Sequence, residues 1–243
     1  MKPAPFAYHR PRTREEVDRL LAEHGGEAKV LAGGQSLVPI MSMRLATPAH
    51  VVDINFLDGE PAEPALADGA VAFGPLVRQR AAERSAVVAE HVPVLAQALA
   101  HVAHPAIRSR GTVVGSIAHA DPAAELPAVM VALDGEARVR GARGRRTVRA
   151  GELFAGPLQT TLGPDEWIEE VRLPVQGDRP SAVVEFARRR GDYALCGVVA
   201  VGGAVTYIGM GPYPGVVEPE DDLHATARYR LWLAERLKRR ALA

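Results

Sequence analysis

Two glycine-centred segments constrain this chain more than any other feature. They are Lys29-Val30-Leu31-Ala32-Gly33-Gly34-Gln35-Ser36-Leu37 and Gly111-Thr112-Val113-Val114-Gly115-Ser116-Ile117-Ala118-His119-Ala120-Asp121. Each follows apolar residues and joins glycine to a hydroxyl side chain. A turn without Cβ atoms lets backbone N–H groups approach an anion, and successive amides form a concavity offering several charge-assisted hydrogen bonds. The pair reads as two halves of one diphosphate cradle, with a dinucleotide as the ligand class. Neither half fits a standard fingerprint: Ala32-Gly33-Gly34-Gln35-Ser36 lacks the GxGxxG order, and no Gly-Lys-Ser/Thr follows it to make a P-loop. A nucleotide has to be held by another fold. One such segment alone reads more simply as a strand-to-helix turn, and it is the pair that favours the cradle.

Composition narrows the function classes. A chain of 243 residues with 47% hydrophobic content builds one large or two small domains. Lysine plus arginine (29) equals aspartate plus glutamate (29), so no global field recruits nucleic acid or an anionic membrane. The single cysteine, Cys196, excludes an internal disulfide framework and any iron–sulfur cluster held by this chain's own thiolates, and it fits a reducing cytoplasm. Its apolar neighbours point to packing and not to reactivity. The first 14 residues contain no apolar signal core, and no stretch reaches the roughly 18 uninterrupted apolar residues of a spanning helix. The expectation is a cytoplasmic chain without a transmembrane segment. The one basic run, residues 137–149, alternates arginine with valine on either side of Gly141-Ala142-Arg143-Gly144 and has no aromatic residue for base stacking. It reads as a β-hairpin with a solvated face, and no nucleic-acid partner is expected.

Along the chain, Thr13 with Glu16 resembles a capping box opening a helix that stops at Gly25-Gly26. Strands are expected over residues 28–31, 49–54, 70–73 and 182–188, with one long apolar strand over 197–205. Helices are expected over 37–45, 80–89 and 92–102, the last halted by His104-Pro105, and a final helix carries Tyr229, Leu233 and Leu237. Residues 175–180 read as a linker. Other chemistry falls away. His101, His104 and His119 lack the regular spacing and companions of a metal site, so no metal ligand is assigned. Ser36 and Ser116 lie in no nucleophile elbow and serve better as phosphate donors than as catalysts.

The ordered set Ala32-Gly33-Gly34-Gln35-Ser36-Leu37, His104-Pro105-Ala106-Ile107-Arg108, residues 112–120, Asp121-Pro122-Ala123-Ala124-Glu125 and Arg190-Gly191-Asp192-Tyr193-Ala194 resembles one family. It is similar to the FAD-binding medium subunit of molybdenum hydroxylases, nearest by motif to the medium chains of carbon monoxide dehydrogenase-type enzymes and related to the FAD subunit of xanthine dehydrogenases. The resemblance implies an α+β fold. A two-lobed FAD-binding domain of the PCMH type would occupy residues 1–175, and a small, shortened α+β C-terminal domain residues 180–243. It implies FAD as cofactor, held at its pyrophosphate by the amides of Lys29, Val30, Leu31, Ala32, Gly33, Gly34, Gln35 and Leu37 with the Ser36 hydroxyl. The opposing set would be Thr112, Val113, Val114, Gly115 and Ser116. Glu125 and Asp121 would sit near the adenosine ribose, though each also reads as an ordinary surface or capping acid. Val102 and Ile168 would line the adenine or flavin, and Tyr193, otherwise a core tyrosine, would lie beside the isoalloxazine.

No residue of this chain is then catalytic. Electrons would come from the [2Fe–2S] clusters of a small partner subunit, a large partner would hold molybdenum, and an external acceptor would receive them. Two departures from the family keep alternatives open. Val114 stands where the family often has glycine, and residues 212–219 lead almost directly into the last helix where relatives carry further segments. A scaffold subunit that has lost FAD is one alternative. A stand-alone flavin oxidoreductase is the other, although no Ser/Glu pair for protonating a substrate stands out.

Overall fold

The computed structural model describes residues 1–243. β1 (Ala7–His9) is followed by α1 (Arg14–His24), where Thr13 caps the helix by accepting the Glu16 amide and Gly25 ends it at φ +50°. The Glu16 carboxylate turns back to the Arg12 amide at 2.6 Å, one residue earlier than a standard capping box. β2 (Ala28–Leu31) enters the first glycine segment, α2 (Leu37–Ser42) leaves it, and β3 (His50–Asp53) closes a parallel sheet ordered β1-β3-β2. α2 is shorter than expected because the chain turns at Arg44, which takes φ +58°. This first lobe has a thin core of eight buried residues from α1, β2, β3 and their flanks, completed by Trp167 from the next lobe. Each fully buried side chain of this size contributes roughly 1.5–3 kcal/mol, so the borrowed tryptophan matters. Its indole N–H donates to Asp18 on α1 at 2.9 Å.

The second lobe opens with β4 (Ala65–Ala67) and β5 (Ala70–Phe73). A run of short helices follows: α3 (Gln79–Arg84), α4 (Ala86–His91), α5 (Pro93–Leu99), α6 (Pro105–Arg108), α7 (Val113–His119) and α8 (Glu125–Ala132). The helix expected over 80–89 is therefore two helices. Ser85 goes extended, and its hydroxyl accepts the Val88 amide to start the second. His104-Pro105 ends one helical stretch as expected, but Pro105 also opens α6 from its first position, where its missing N–H costs nothing. β6 (Glu136–Gly141), β7 (Gly144–Arg149), α9 (Ala150–Leu153), β8 (Phe154–Gly156), β9 (Gln159–Thr160) and β10 (Glu166–Pro174) complete the lobe. Its main sheet is antiparallel, ordered β4-β5-β10-β6-β7.

The basic run is the expected hairpin, with Gly141 opposite Gly144. Its arginines are answered by acids on neighbouring elements: Arg138 by Glu170, Arg140 by Glu15 and Asp18, Arg143 by Asp165, Arg145 by Glu169, Arg146 by Glu166 and Arg149 by Asp134. No free stripe of positive charge is left for a phosphate backbone.

The final region holds β11 (Ser181–Ala187), β12 (Ala194–Val201), β13 (Ala204–Ile208) and α10 (Ala227–Ala241). The single strand expected over 197–205 is two strands, because Gly202 and Gly203 adopt φ +57° and +88° and fold them into a tight hairpin. One face of this sheet buries Cys196, Val198 and Met210 against Leu233, Ala234 and Leu237 of α10. From the same sheet Ala194, Val199, Val201 and Ile208 join the 33-residue core of the second lobe. Residues 175–180 are anchored: Gln176 is buried, its side-chain Oε1 accepts the Val94 amide at 3.1 Å and its backbone N–H donates to the His91 carbonyl at 2.8 Å. Burial pushes the Cys196 thiol up to about 12, which keeps it an inert packing residue. No helix is long and apolar enough to cross a membrane.

Candidate functional site

The first glycine segment leaves β2 at the carboxyl end of the parallel sheet, where ligands of such sheets gather. Gly34 takes φ +74°, a conformation that favours glycine. Gly33 lies directly against the second segment. A Cβ there would stand 2.5 Å from the Arg110 carbonyl oxygen and 2.7 Å from Gly111 Cα. The backbone N–H groups of Gly33, Gly34, Gln35, Ser36 and Leu37 meet no acceptor in the chain, and the Ser36 hydroxyl makes no capping bond. Five consecutive donors without partners call for an anion or water. They open on a crevice of about 300 Å³ lined by Leu31, Ala32, Gly33, Gly34, Gln35, Val38, Pro39, Asp53, Asn55 and Arg110.

Three of these lining residues, with Arg78, come from elements far along the chain and carry no local motif. Asp53, buried at the end of β3, accepts the Tyr8 hydroxyl at 2.5 Å and the Asn55 side-chain amide at 2.5 Å. Both carboxylate oxygens are thereby occupied, and the Tyr8 phenol is pushed up by that hydrogen bond. Asn55 Nδ2 donates to the Ala32 carbonyl at 2.7 Å, and its Oδ1 accepts Arg78 at 2.6 Å. Arg78 also donates to the Arg110 carbonyl at 2.6 Å. Burial lowers the Arg78 pKa, with the Arg110 charge adding to the effect, and no carboxylate lies within salt-bridge distance of either arginine. Arg78, held by two neutral acceptors, and Arg110, whose side chain pairs with no carboxylate, thus flank the unpaired amides.

The second segment is not the open loop expected. Thr112 is the N-cap of α7: its hydroxyl accepts the Gly115 amide at 3.0 Å and its carbonyl accepts the Ser116 amide at 3.2 Å. The Val113 amide donates to the Val77 carbonyl at 3.1 Å. Of the proposed opposing set, the Thr112 and Val114 amides are left free. Val114 has ordinary helical backbone and its side chain is buried in the main core, so the valine imposes no strain. Gly111 is required by contact, since a Cβ would stand 2.6 Å from Gln79 Oε1, itself a buried acceptor without a donor.

A third corner joins the remaining motifs. Gly191, at φ +86°, packs on Ala103 and His104 so closely that a Cβ would meet the imidazole at 2.7 Å. Arg108 is buried here and binds both oxygens of Glu83, at 3.0 and 2.9 Å, and the Val102 carbonyl at 2.7 Å. Tyr193 is 60% exposed, yet surrounding protein desolvates its phenol and pushes it up to about 12, with Asp121 and Glu125 adding to the rise. Asp121 accepts the Ala123 amide at 2.9 Å. Glu125 is buried, and burial together with Glu185 raises its carboxyl to about 7. Glu185 in turn pairs with His101 at 3.1 Å.

Val102 and Ile168 are buried in the main core, Ile168 on β10 opposite Val139. Lys29 is exposed on β2, two residues before the segment bends. A larger depression, about 350 Å³, lies over the arginine hairpin. Its walls have no hydrophobic residue, and its Arg14, Arg145 and Arg146 are already paired with Glu60, Glu169 and Glu166. It offers nothing to a ring system.

Residues 4–176 match the family of FAD-binding domains in molybdopterin dehydrogenases. The chain belongs to that family: an oxidoreductase subunit whose cofactor is FAD. Among curated proteins it is 38% identical to the nicotine 6-hydroxylase medium subunit of Paenarthrobacter nicotinovorans over 281 aligned positions, covering all of this chain and 98% of the relative. Among solved structures it superposes on a carbon monoxide dehydrogenase from Hydrogenophaga pseudoflava that lacks the Mo-pyranopterin moiety of its molybdenum cofactor. That match has a TM-score of 0.93 and 30% identity, covering 100% of this chain and 97% of the other. Quinoline 2-oxidoreductase from Pseudomonas putida 86 matches at a TM-score of 0.92 and 31% identity, with the same coverage.

The donor set fits FAD. Unpaired amides and a free hydroxyl suit two phosphates, two arginines without a salt bridge suit their charge, and an exposed tyrosine suits a flat ring.

Proposed function

We propose that this chain is the FAD-binding medium subunit of a molybdenum hydroxylase-type dehydrogenase. It would take electrons from the [2Fe–2S] clusters of a small partner subunit, beside a large subunit holding the molybdenum cofactor, and pass them to an external acceptor in the cytoplasm. The row of five unpaired amides from Gly33 to Leu37, pressed against Arg110 and Gly111, carries this reading. These amides with Ser36 would grip the pyrophosphate, Arg78 and Arg110 would offset its charge, and the Val114 amide would add one donor from the far side. Tyr193 would cover the flavin ring, and Asp121 or Glu125 would accept from ribose hydroxyls. Bound there, FAD supplies exchange of single electrons with iron–sulfur centres and of pairs with an acceptor. The chain's own part is to bind, orient and shield.

The division into residues 1–175 and 180–243 belongs to the same proposal, supported by the reach of the family match to residue 176 and by the separate three-stranded sheet that follows. The test is the visible spectrum of the purified chain before and after FAD addition and desalting, with copurifying subunits identified by mass. One FAD per chain with two companions, one larger and one smaller, is the expected result. Folded protein that holds no FAD overturns it in favour of a scaffold, and FAD-loaded protein turning over a substrate alone overturns it in favour of a stand-alone oxidoreductase.

A further inference from the structure

Three imidazoles meet at the end of the first lobe away from the cradle. His50 begins β3, whose last residue Asp53 lines the crevice; His9 ends β1 and His24 ends α1. One ring nitrogen from each lies within 4.8 Å of the other two. His9 Nε2 and His50 Nδ1 are 3.0 Å apart. The His24 ring stacks on that of His50 with centroids 3.6 Å apart and planes 8° apart. All three are half-buried.

Burial with the two neighbouring rings holds His9 below its ordinary value. Neutral imidazoles keep a lone pair each, the form that ligates a metal. The charges facing the trio are Glu23, whose carboxylate is 3.9 Å from His24 Nε2, and Arg19, paired with Glu23 at 3.6 Å. The carboxyl end of α1 also turns its negative dipole toward the trio.

We propose that His9, His24 and His50 form a binding site for a divalent transition-metal ion of the zinc class. An all-imidazole donor set suits Zn²⁺, Ni²⁺ or Cu²⁺ and not the oxygen-seeking Mg²⁺ or Ca²⁺. Tetrahedral zinc with nitrogen at 2.0–2.1 Å places its donors roughly 3.3 Å apart. The His9–His50 pair already stands near that spacing, and His24 joins when its ring slides off the face of His50. The fourth position falls to Glu23 or to water. The ion would tie β1, α1 and β3 together in the lobe with the thinner core of the two, at the end opposite the cradle.

The test uses purified FAD-loaded protein stripped with a chelator, then titrated with Zn²⁺ by calorimetry and with Co²⁺ by visible absorption beyond the flavin bands. One ion per chain with a tetrahedral Co²⁺ spectrum is expected, with Zn²⁺ raising the Tm. His24→Gln and His50→Gln should each weaken binding about tenfold or more while FAD content and circular dichroism stay unchanged. His91→Gln, remote from the trio in the chain's second lobe, should bind as the parent does. Absence of binding at micromolar Zn²⁺, or equal binding by a folded protein carrying His9→Gln, His24→Gln and His50→Gln together, overturns the proposal.

Discussion

The two glycine segments look alike in sequence and do different work in the fold. The first, between β2 and α2, is held by its outer contacts and leaves five successive amides open. The second is consumed by starting a helix: the amides of Val113, Gly115 and Ser116 are bonded within the chain, and its valine is part of the main core. Glycine in the first leaves amides open for the proposed ligand. In the second, Gly111 serves contact with Gln79 and Gly115 serves the Thr112 cap. Two similar motifs therefore do not make two equal halves of a site; what matters is which amides the chain has already used.

The comparison breaks most plainly at Gly33. Gly33→Asp puts a side chain into the Arg110 backbone and a carboxylate beside the phosphates, so bound FAD per chain should fall to near zero. FAD retained at parental stoichiometry would dissolve the cradle. Val114→Gly should cost about 3 kcal/mol of stability through a core void and a helix glycine, with FAD content unchanged. Tighter flavin binding in that variant would show the second segment to be a ligand loop after all. Gly34→Ala should weaken FAD by about tenfold, because an alanine held at φ +74° costs roughly 1–2 kcal/mol and the neighbours Leu31 and Val38 are side chains able to shift. The smallest effect is expected at Thr112→Ala. Loss of the α7 cap should lower stability by about 1 kcal/mol in a denaturant titration, with flavin retained, and Thr112→Ser should recover it.

Local patterning made much of the fold legible. β2 and β5 fall on the expected residues, Thr13 caps α1, and the arginine hairpin turns where its glycines predict. The misreadings have physical causes. The strand over 197–205 hid a hairpin because a continuous apolar run masked Gly202-Gly203, although that dipeptide is itself a turn signal. The helix over 80–89 hid a break because Ser85 reads equally as an interior residue and as a cap. At the site, the glycines, Ser36 and Tyr193 announce themselves by motif. Asp53, Asn55, Arg78 and Arg110 do not, since each reaches the crevice through tertiary contacts between separate elements. The imidazole trio was invisible for the same reason: one histidine comes from each of three elements, with no short spacing to mark them.

The Arg78 guanidinium reaches Asn55 on one side and the Arg110 carbonyl on the other. It thus spans the two lobes before any ligand arrives, and Asn55 fixes the bend of the loop from beneath through the Ala32 carbonyl. A mouth already spaced and curved asks a dinucleotide only to arrive in the right orientation. If FAD seats there as proposed, less ordering of the chain is left for the moment of binding, and affinity rests on how slowly the dinucleotide escapes.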